Sequence, residues 1–415
     1  MNHRTLLPSL VLCMILNAVA HAAETWPQFR GPTGDGDASS AKLPLNWSES
    51  TNVKWKTAIH GKAWSSPVVW GDRIWMTTAT EDGKKMSAVC VDRNTGKIVQ
   101  DIVVFENAEP RFCHPTNSYA SPTPILEAGR LYVHFGSYGT ACLNTKTGKT
   151  IWERRDFACN HWRGPGSSPV IAGDVMFVAY DGFDKQYVTA LNKNTGKTEW
   201  KHDRNINYGT DNGDRMKAYS TALYIEHKDR KQFISPSAVE TISYEVETGK
   251  ELWRVKHGGM NAAIRPAYRH GLVYIFGGSG RTAMVAVKPD GSGDVTSTHI
   301  VYGLGRGVPK RPGPVMFGDY MFMLNDDGIA NCVDAKTGEV KWQQRMEGSY
   351  RASPILADGR IYLFGMEGQM PVIKAKPTFE LLTTNELEAG CQASPAVIGN
   401  QLYIRTLTHL YWIGK

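Results

Sequence analysis

The sequence predicts an all-β fold: an eight-bladed β-propeller of four-stranded antiparallel blades, its ring closed by an N-terminal strand that completes the last blade. Three observations carry this. Two short phrases alternate along the chain with a period near fifty residues, which marks a repeat architecture. Amphipathic helical periodicity is almost absent. The two ends of the chain are complementary parts of one repeat.

The first phrase is a Ser-Pro pair, an apolar run, a Gly-Asp or similar turn, and a second apolar run. It reads SSPVVWGDRIWM (65–76), ASPTPILEAGRLYV (120–133), SSPVIAGDVMFV (167–178), ASPILADGRIYLF (352–364) and ASPAVIGNQLYI (393–404), with looser copies at 264–276 and 313–324. The second is a short strand, a Thr-Gly turn, then Lys or Glu and a Trp: LNTKTGKTIW (143–152), LNKNTGKTEW (191–200), YEVETGKELW (244–253) and VDAKTGEVKW (333–342), with VDRNTGKIVQ (91–100) lacking the Trp. Runs rich in Val, Ile, Tyr and Phe between Gly, Asp and Asn are strands. Glycine in the Thr-Gly turn takes the positive-φ position of a bulged hairpin. Each repeat is therefore strand A, a tight turn, strand B, a connection, strand C, a Thr-Gly turn and strand D. AYSTALYIEH (218–227) stands in for the Ser-Pro phrase of the fourth repeat, and Asp290-Gly291 is a degenerate second turn in the fifth. Eight A–B hairpins result.

The eighth repeat stops at LYWIGK (410–415), inside its strand C, while NVKWKTAI (52–59) is a Lys-Trp strand with nothing before it to pair with. A closed ring has no unpaired edge, and pairing these two segments closes it.

Ahead of the repeats, Arg4 precedes an apolar run from Leu6 to Val19 and then Ala20-His21-Ala22, the three-part pattern of a secretory signal peptide. The run is too short for the ~20 apolar residues of a spanning helix, and no later stretch reaches that length. Cys13 follows Leu12 in mid-run, which does not fit a lipid-attachment site. The expected division is a signal peptide at 1–22, an N-terminal arm at 23–50 and one propeller at 51–415. The expected location is periplasmic or secreted. A net charge of +7 over 415 residues, with no block of Lys and Arg, sets nucleic acid aside as a partner, and a monomer is expected.

The TGKxxW turn-and-strand with its Ser-Pro strand resembles the repeat of pyrroloquinoline-quinone-like (PQQ-like) propellers, from Asn52 to the end of the chain. The resemblance implies that Trp55, Trp152, Trp200, Trp253 and Trp342 pack between neighbouring blades. WPQFRGP (26–32) resembles the opening of exported propeller proteins from planctomycete-type bacteria. In repeat type the chain also resembles the propeller subunit of the outer-membrane β-barrel assembly machine, which implies a binding or scaffolding role in the cell envelope. PQQ-dependent dehydrogenases share the repeat and imply an alternative: an oxidoreductase using PQQ with calcium. Those enzymes carry a vicinal cysteine pair and often a haem domain. This sequence has no adjacent cysteines and no Cys-x-x-Cys-His, so it yields no catalytic residue, cofactor or metal site.

Strand alternation puts the A–B and C–D turns on one face of the disc and the long connections, including 101–119, 155–166, 201–219 and 297–312, on the other. Binding residues concentrate in such loops. The third residue before each Pro position gives a predicted channel mouth of Trp64, Tyr119, Gly166, Tyr219, Ala263, Arg311, Arg351 and Gln392, with His114, Asn117, His161, Trp162, Arg163, Arg265 and Arg306 nearby. Aromatic faces beside Arg forks suit an anionic ligand, a sugar or an aromatic cofactor. The expected partner is accordingly a small molecule, a glycan or an envelope protein, and a carbohydrate-binding or carbohydrate-active propeller is the second alternative. Cys90, Cys142 and Cys332 share one strand C position and read as small core residues. Cys113 and Cys159 fall in consecutive D–A loops, where a disulfide between neighbouring blades is possible, with Cys391 on the same face.

Overall fold

The computed structural model describes residues 25–278 and 284–415; the signal-peptide expectation lies outside the described residues. Eight antiparallel sheets follow one another along the chain, each with strands in the order A-B-C-D. The A strands are Val68–Trp70, Ile125–Glu127, Val170–Ala172, Leu223–His227, Ala267–Arg269, Val315–Phe317, Ile355–Ala357 and Ala396–Ile398. Neighbouring A strands contact one another around the axis, so D lies outermost. The ring closes as expected: Val53–Ala58 pairs antiparallel with His409–Ile413, from Val53 opposite Ile413 to Ala58 opposite His409. No helix among the described residues is long and apolar enough to cross a membrane.

The apolar core lies in the seams between blades. Trp75 and Cys90 of blade 1, for example, cluster with Leu131 and Ala141 of blade 2. The tryptophan of strand D reaches over the seam to the next blade's C–D turn. The indole Nε1 of Trp55, Trp152, Trp200 and Trp342 donates to the carbonyls of Arg93, Lys193, Val246 and Lys376, at 2.9, 2.8, 2.9 and 3.0 Å. The turn glycine has a second duty here, because a Cβ on Gly96 or Gly196 would stand only 2.8 or 2.7 Å from the ring of Trp55 or Trp152. Tyr302 replaces the tryptophan in blade 5 and donates to the Ala335 carbonyl (2.6 Å).

Blade 5 departs from the sequence expectation. Its C–D connection is not a tight turn at Asp290-Gly291. It makes an excursion in which Gly293–Asp294 pairs in parallel with the outer strand of blade 4, Glu251–Lys256. Strand D follows at Ile300–Leu304, inside the segment expected to be a loop at 297–312. Trp253 consequently has no Thr-Gly turn to reach, and it donates instead to Gln232 of its own blade (2.9 Å).

The Ser-Pro phrase has its own structural reason. Thr123, Ser168 and Thr221 each accept, through the side-chain hydroxyl, the backbone N–H of the matching residue one blade earlier (Ser66, Thr123 and Ser168) at 3.0, 2.9 and 3.0 Å. Ser353 and Ser394 do the same for Gly313 and Ser353, both at 2.9 Å. This ring of hydroxyls around the axis is broken at three steps, and a buried arginine fills each break. Arg265 holds the ring position of blade 5, Arg30 occupies the space beside Gly313 in blade 6, and Arg405 spans the closure from blade 8 to Ser65 and Thr77 of blade 1 (2.8 Å each to Ser65 Oγ and the Thr77 carbonyl).

The N-terminal arm plugs the central channel. Thr25–Trp26 pairs along the inner edge of Val68–Trp70, with Thr25 opposite Trp70 at the turn face. The chain climbs to Phe29, reverses through Gly31, Gly34 and Gly36, all at positive φ, and descends beside blade 7, where Asp37 bridges Leu356 in parallel. It leaves across blades 7 and 8, with Trp47 stacked on Tyr362 (6.1 Å). Two Arg-against-Gly contacts lock the hairpin. Arg265 donates to the carbonyls of Thr33 and Gly34, and Arg30 donates to those of Asp35 and Pro314. A Cβ on Gly34 would strike the Arg265 guanidinium, and one on Gly313 would strike that of Arg30. Burial pushes both guanidinium groups down to about 10, with Asp35 opposing the shift.

Candidate functional site

Because the arm stops the channel from the turn face, the opposite mouth is a blind cup of about 210 Å³ with Phe29 in its lining. Each blade contributes the third residue before its Pro position: Trp64, Ser121, Gly166, Tyr219, Ala263, Arg311, Arg351 and Gln392 all line it. In blade 2 the structural equivalent is Pro124 and not Pro122, because Thr123 is the ring hydroxyl. The mouth residue is therefore Ser121, two positions beyond the expected Tyr119. The five ring hydroxyls at 123, 168, 221, 353 and 394 also line the cup, as do Thr116, Asn117, Arg163, Asn261 and Lys310.

Of the residues expected at the mouth, Trp64, Asn117, Arg163, Gly166, Tyr219, Ala263, Arg311, Arg351 and Gln392 line the cup. Trp162 and Arg306 do not, and neither do four others whose places are informative. Tyr119 turns into the seam between blades 1 and 2, donating to the Arg111 carbonyl (2.7 Å) with its ring against Tyr138. His161 is buried, where Nε2 accepts the Ser137 N–H (3.0 Å) and burial pushes its pKa down to about 4. Arg265 faces the arm. His114 stands outside the lining, but its pKa is lowered by burial and then by Arg163, Lys217, Arg311 and Arg351, so it faces the same field. The disulfide is not formed: Cys113 and Cys159 are free thiols. The Cys113 thiol donates to the Arg163 carbonyl (3.4 Å), and that of Cys159 lies 3.8 Å from His161 Nδ1. Cys391 is also free and fully buried.

Four cations line the cup and no carboxylate does. Arg311 pairs with Asp326 (2.6 Å) and Arg163 with Asp214 (3.4 Å), both acids lying behind the lining. Arg351 donates to Gln392 (2.8 Å) and to the Thr116 carbonyl (3.3 Å), and makes no ion pair among the described residues. The ring hydroxyls accept backbone N–H groups, which leaves their O–H protons free to be given toward the axis. Trp64 holds a buried indole N–H without a partner. The lining is thus rich in donors and poor in acceptors, and it favours an acceptor-rich, negatively charged occupant.

The donor set does not fit PQQ with calcium. Calcium takes six to eight oxygen ligands, carboxylates foremost, and neither a carboxylate nor a cysteine lines the cup. Among the described residues no three His, Cys, Asp or Glu side chains gather as a metal site. Asp181, at a B–C turn, is held by Arg204 in a fully buried pair (2.5 and 2.7 Å).

Fold and mouth together define a closed, PQQ-like β-propeller with a basic, blind central cup. The family profile described as outer membrane protein assembly factor BamB matches residues 84–291 and 238–406, and the chain belongs to that family. No protein of curated function matches the sequence. Among solved structures it is similar to BamB from Moraxella catarrhalis (13% identity, TM-score 0.61, covering 87% of this chain and 99% of that one). It is similar also to a europium-containing methanol dehydrogenase (10%, 0.71, 93% and 90%). A third is the quinohemoprotein alcohol dehydrogenase from Comamonas testosteroni (11%, 0.66, 94% and 81%). At these identities the likeness is one of fold.

Proposed function

We propose that this protein is an exported binding or scaffolding propeller of the cell envelope, monomeric, which holds a ligand or a partner segment in the mouth cup. One observation carries the reading: all eight blades converge one residue each on a cup that is stopped from below and lined by cations without carboxylates. Membership of a family described by an assembly factor supports the envelope setting. The quinone-dependent oxidoreductase remains the second reading only because dehydrogenases share the fold, and the cup's donor set works against it. The test is a thermal-shift and calorimetric screen of small anions, glycans, envelope proteins and PQQ with calcium, repeated with Trp64→Ala and Arg351→Ala. Binding abolished by both substitutions supports the reading. Binding untouched by both overturns it, and dye-linked alcohol or sugar oxidation with bound quinone would install the oxidoreductase in its place.

A further inference from the structure

Beside the cup lies a second feature with no part in packing the blades. Phe112, Trp162 and Phe183 are 55%, 43% and 39% exposed. Their rings stand in a row, 5.5 Å from Phe112 to Trp162 and 5.5 Å from Trp162 to Phe183. They come from three different connections on the long-loop face, so the row is built by the fold and not by one sequence run. Trp162 is held at φ 58, a conformation that costs a non-glycine residue free energy, and the ring so placed remains open to solvent.

The row leads into the cup. Phe112 packs against the His114 ring (6.4 Å), and His114 sits in the field of Arg163 and Arg351. Trp162 is followed directly by Arg163, whose carbonyl is held by Asn117 of the lining (2.8 Å). A track of flat apolar faces therefore ends in a pocket of cations and hydroxyl donors. Flat exposed rings match the C–H faces of pyranose sugars, and the cup matches a carboxylate surrounded by hydroxyls.

We propose that the long-loop face binds an acidic oligosaccharide, with one uronate sugar in the cup against Arg351 and Trp64 and the following sugars stacked along Trp162 and Phe112. This rests on the mouth-binding reading above and deepens it. Charge complementarity selects the occupant, since a neutral glycan would leave Arg351 and Lys310 uncompensated. An acidic peptide would supply the carboxylate but has no need of three aligned rings.

The experiment is calorimetry of the full chain with trigalacturonate, monomeric galacturonate, the carboxyl-reduced neutral trisaccharide and a hexaglutamate peptide. His114 is followed by NMR titration in parallel. Trigalacturonate is expected to bind one to one, with affinity falling as salt rises. The neutral trisaccharide and Arg351→Ala are each expected to weaken binding roughly tenfold or more, as loss of a charge-assisted hydrogen bond implies. Trp162→Ala should weaken the trimer and leave the monomer unchanged, a split that misfolding would not give. Bound uronate should raise the His114 pKa by offsetting the cations around it. Hexaglutamate binding as tightly as trigalacturonate overturns the sugar assignment, as does equal binding of the neutral trisaccharide, and either leaves the mouth as a site. Uronate binding that ignores Arg351→Ala and Trp162→Ala places the sugar elsewhere and overturns the proposal. Failure of every probe in this set overturns the acidic-glycan class, while the wider screen with Trp64→Ala decides the mouth itself.

Discussion

Gly313→Ser would restore to blade 6 the hydroxyl that most other blades carry before their proline, and on repeat consensus it should stabilise. The structure says the reverse. Gly313 is not at positive φ, so serine suits the backbone and would by itself gain about 0.4–1 kcal/mol through the unfolded chain. Its Cβ, however, takes the place of the Arg30 guanidinium. That group is buried and donates to the Asp35 carbonyl (2.6 Å) and to that of Pro314. Hydrogen bonds to a charged group are each worth about 1.5–3 kcal/mol, and displacing the group strands both the charge and the two acceptors. A net loss of about 2–5 kcal/mol follows. With Arg30→Ala the obstruction is gone, and Gly313→Ser should become neutral or stabilising. Denaturant unfolding of the four proteins of this cycle gives the coupling directly. A coupling below about 0.5 kcal/mol, the level of independent sites, or a stabilising Gly313→Ser beside an intact Arg30, would refute the lock.

The remaining predictions concern the seams and the loop face. His134 and His161 are buried and held down to about 3 and about 4, against an ordinary value of 6.5. The unfolded chain therefore takes up protons first as the pH falls. Stability is full above about pH 6.5 and is lost toward pH 4 at up to about 1.4 kcal/mol per unit for each histidine; His161→Gln should flatten that slope in unfolding curves taken across the range. Gly249 and Gly258 share nearly the same φ, 70 and 72, but a Cβ at 249 meets Trp200 while none of the structure lies within 4 Å of one at 258. Gly258→Ala should cost about 1 kcal/mol from the backbone alone, and Gly249→Ala about 1–3 kcal/mol more from overpacking; equal midpoint shifts would deny the Trp-over-Gly seam. Alkylation after denaturation without reductant should label both Cys113 and Cys159, and a mass indicating a bridge would contradict the free thiols.

The blades were legible because their signals are local. Turn glycines, alternating strands and the recurring tryptophan each report on a few neighbouring residues, and the closure was legible because Trp55 carries the same phrase as Trp152. The mouth followed from one positional rule. That rule misplaces only blade 2, where ASPTP holds two prolines and the ring hydroxyl precedes the second, so that Ser121 and not Tyr119 reaches the cup. The plug was not legible from the arm, which repeats nothing and is locked by partners as far off as Arg265, Pro314 and Leu356. Its signal lay elsewhere: Arg265 and Gly313 are the adjacent blades that lack the hydroxyl, and they answer Gly34 and Arg30 of the arm. Blade 5 misled because an inserted excursion erased its turn, leaving strand D to look like loop.

The hairpin shape of the plug bears on how the molecule is assembled. Both legs of the arm stand at the turn face, so the segment is seated like a cork and is not passed through like a thread. A ring already closed by Val53–Ala58 can receive it or release it without parting any blade from its neighbour. Had the arm run from one face to the other, the ring would have to form around it. As built, the order of the two events is free, and the molecule carries no topological obstacle to refolding.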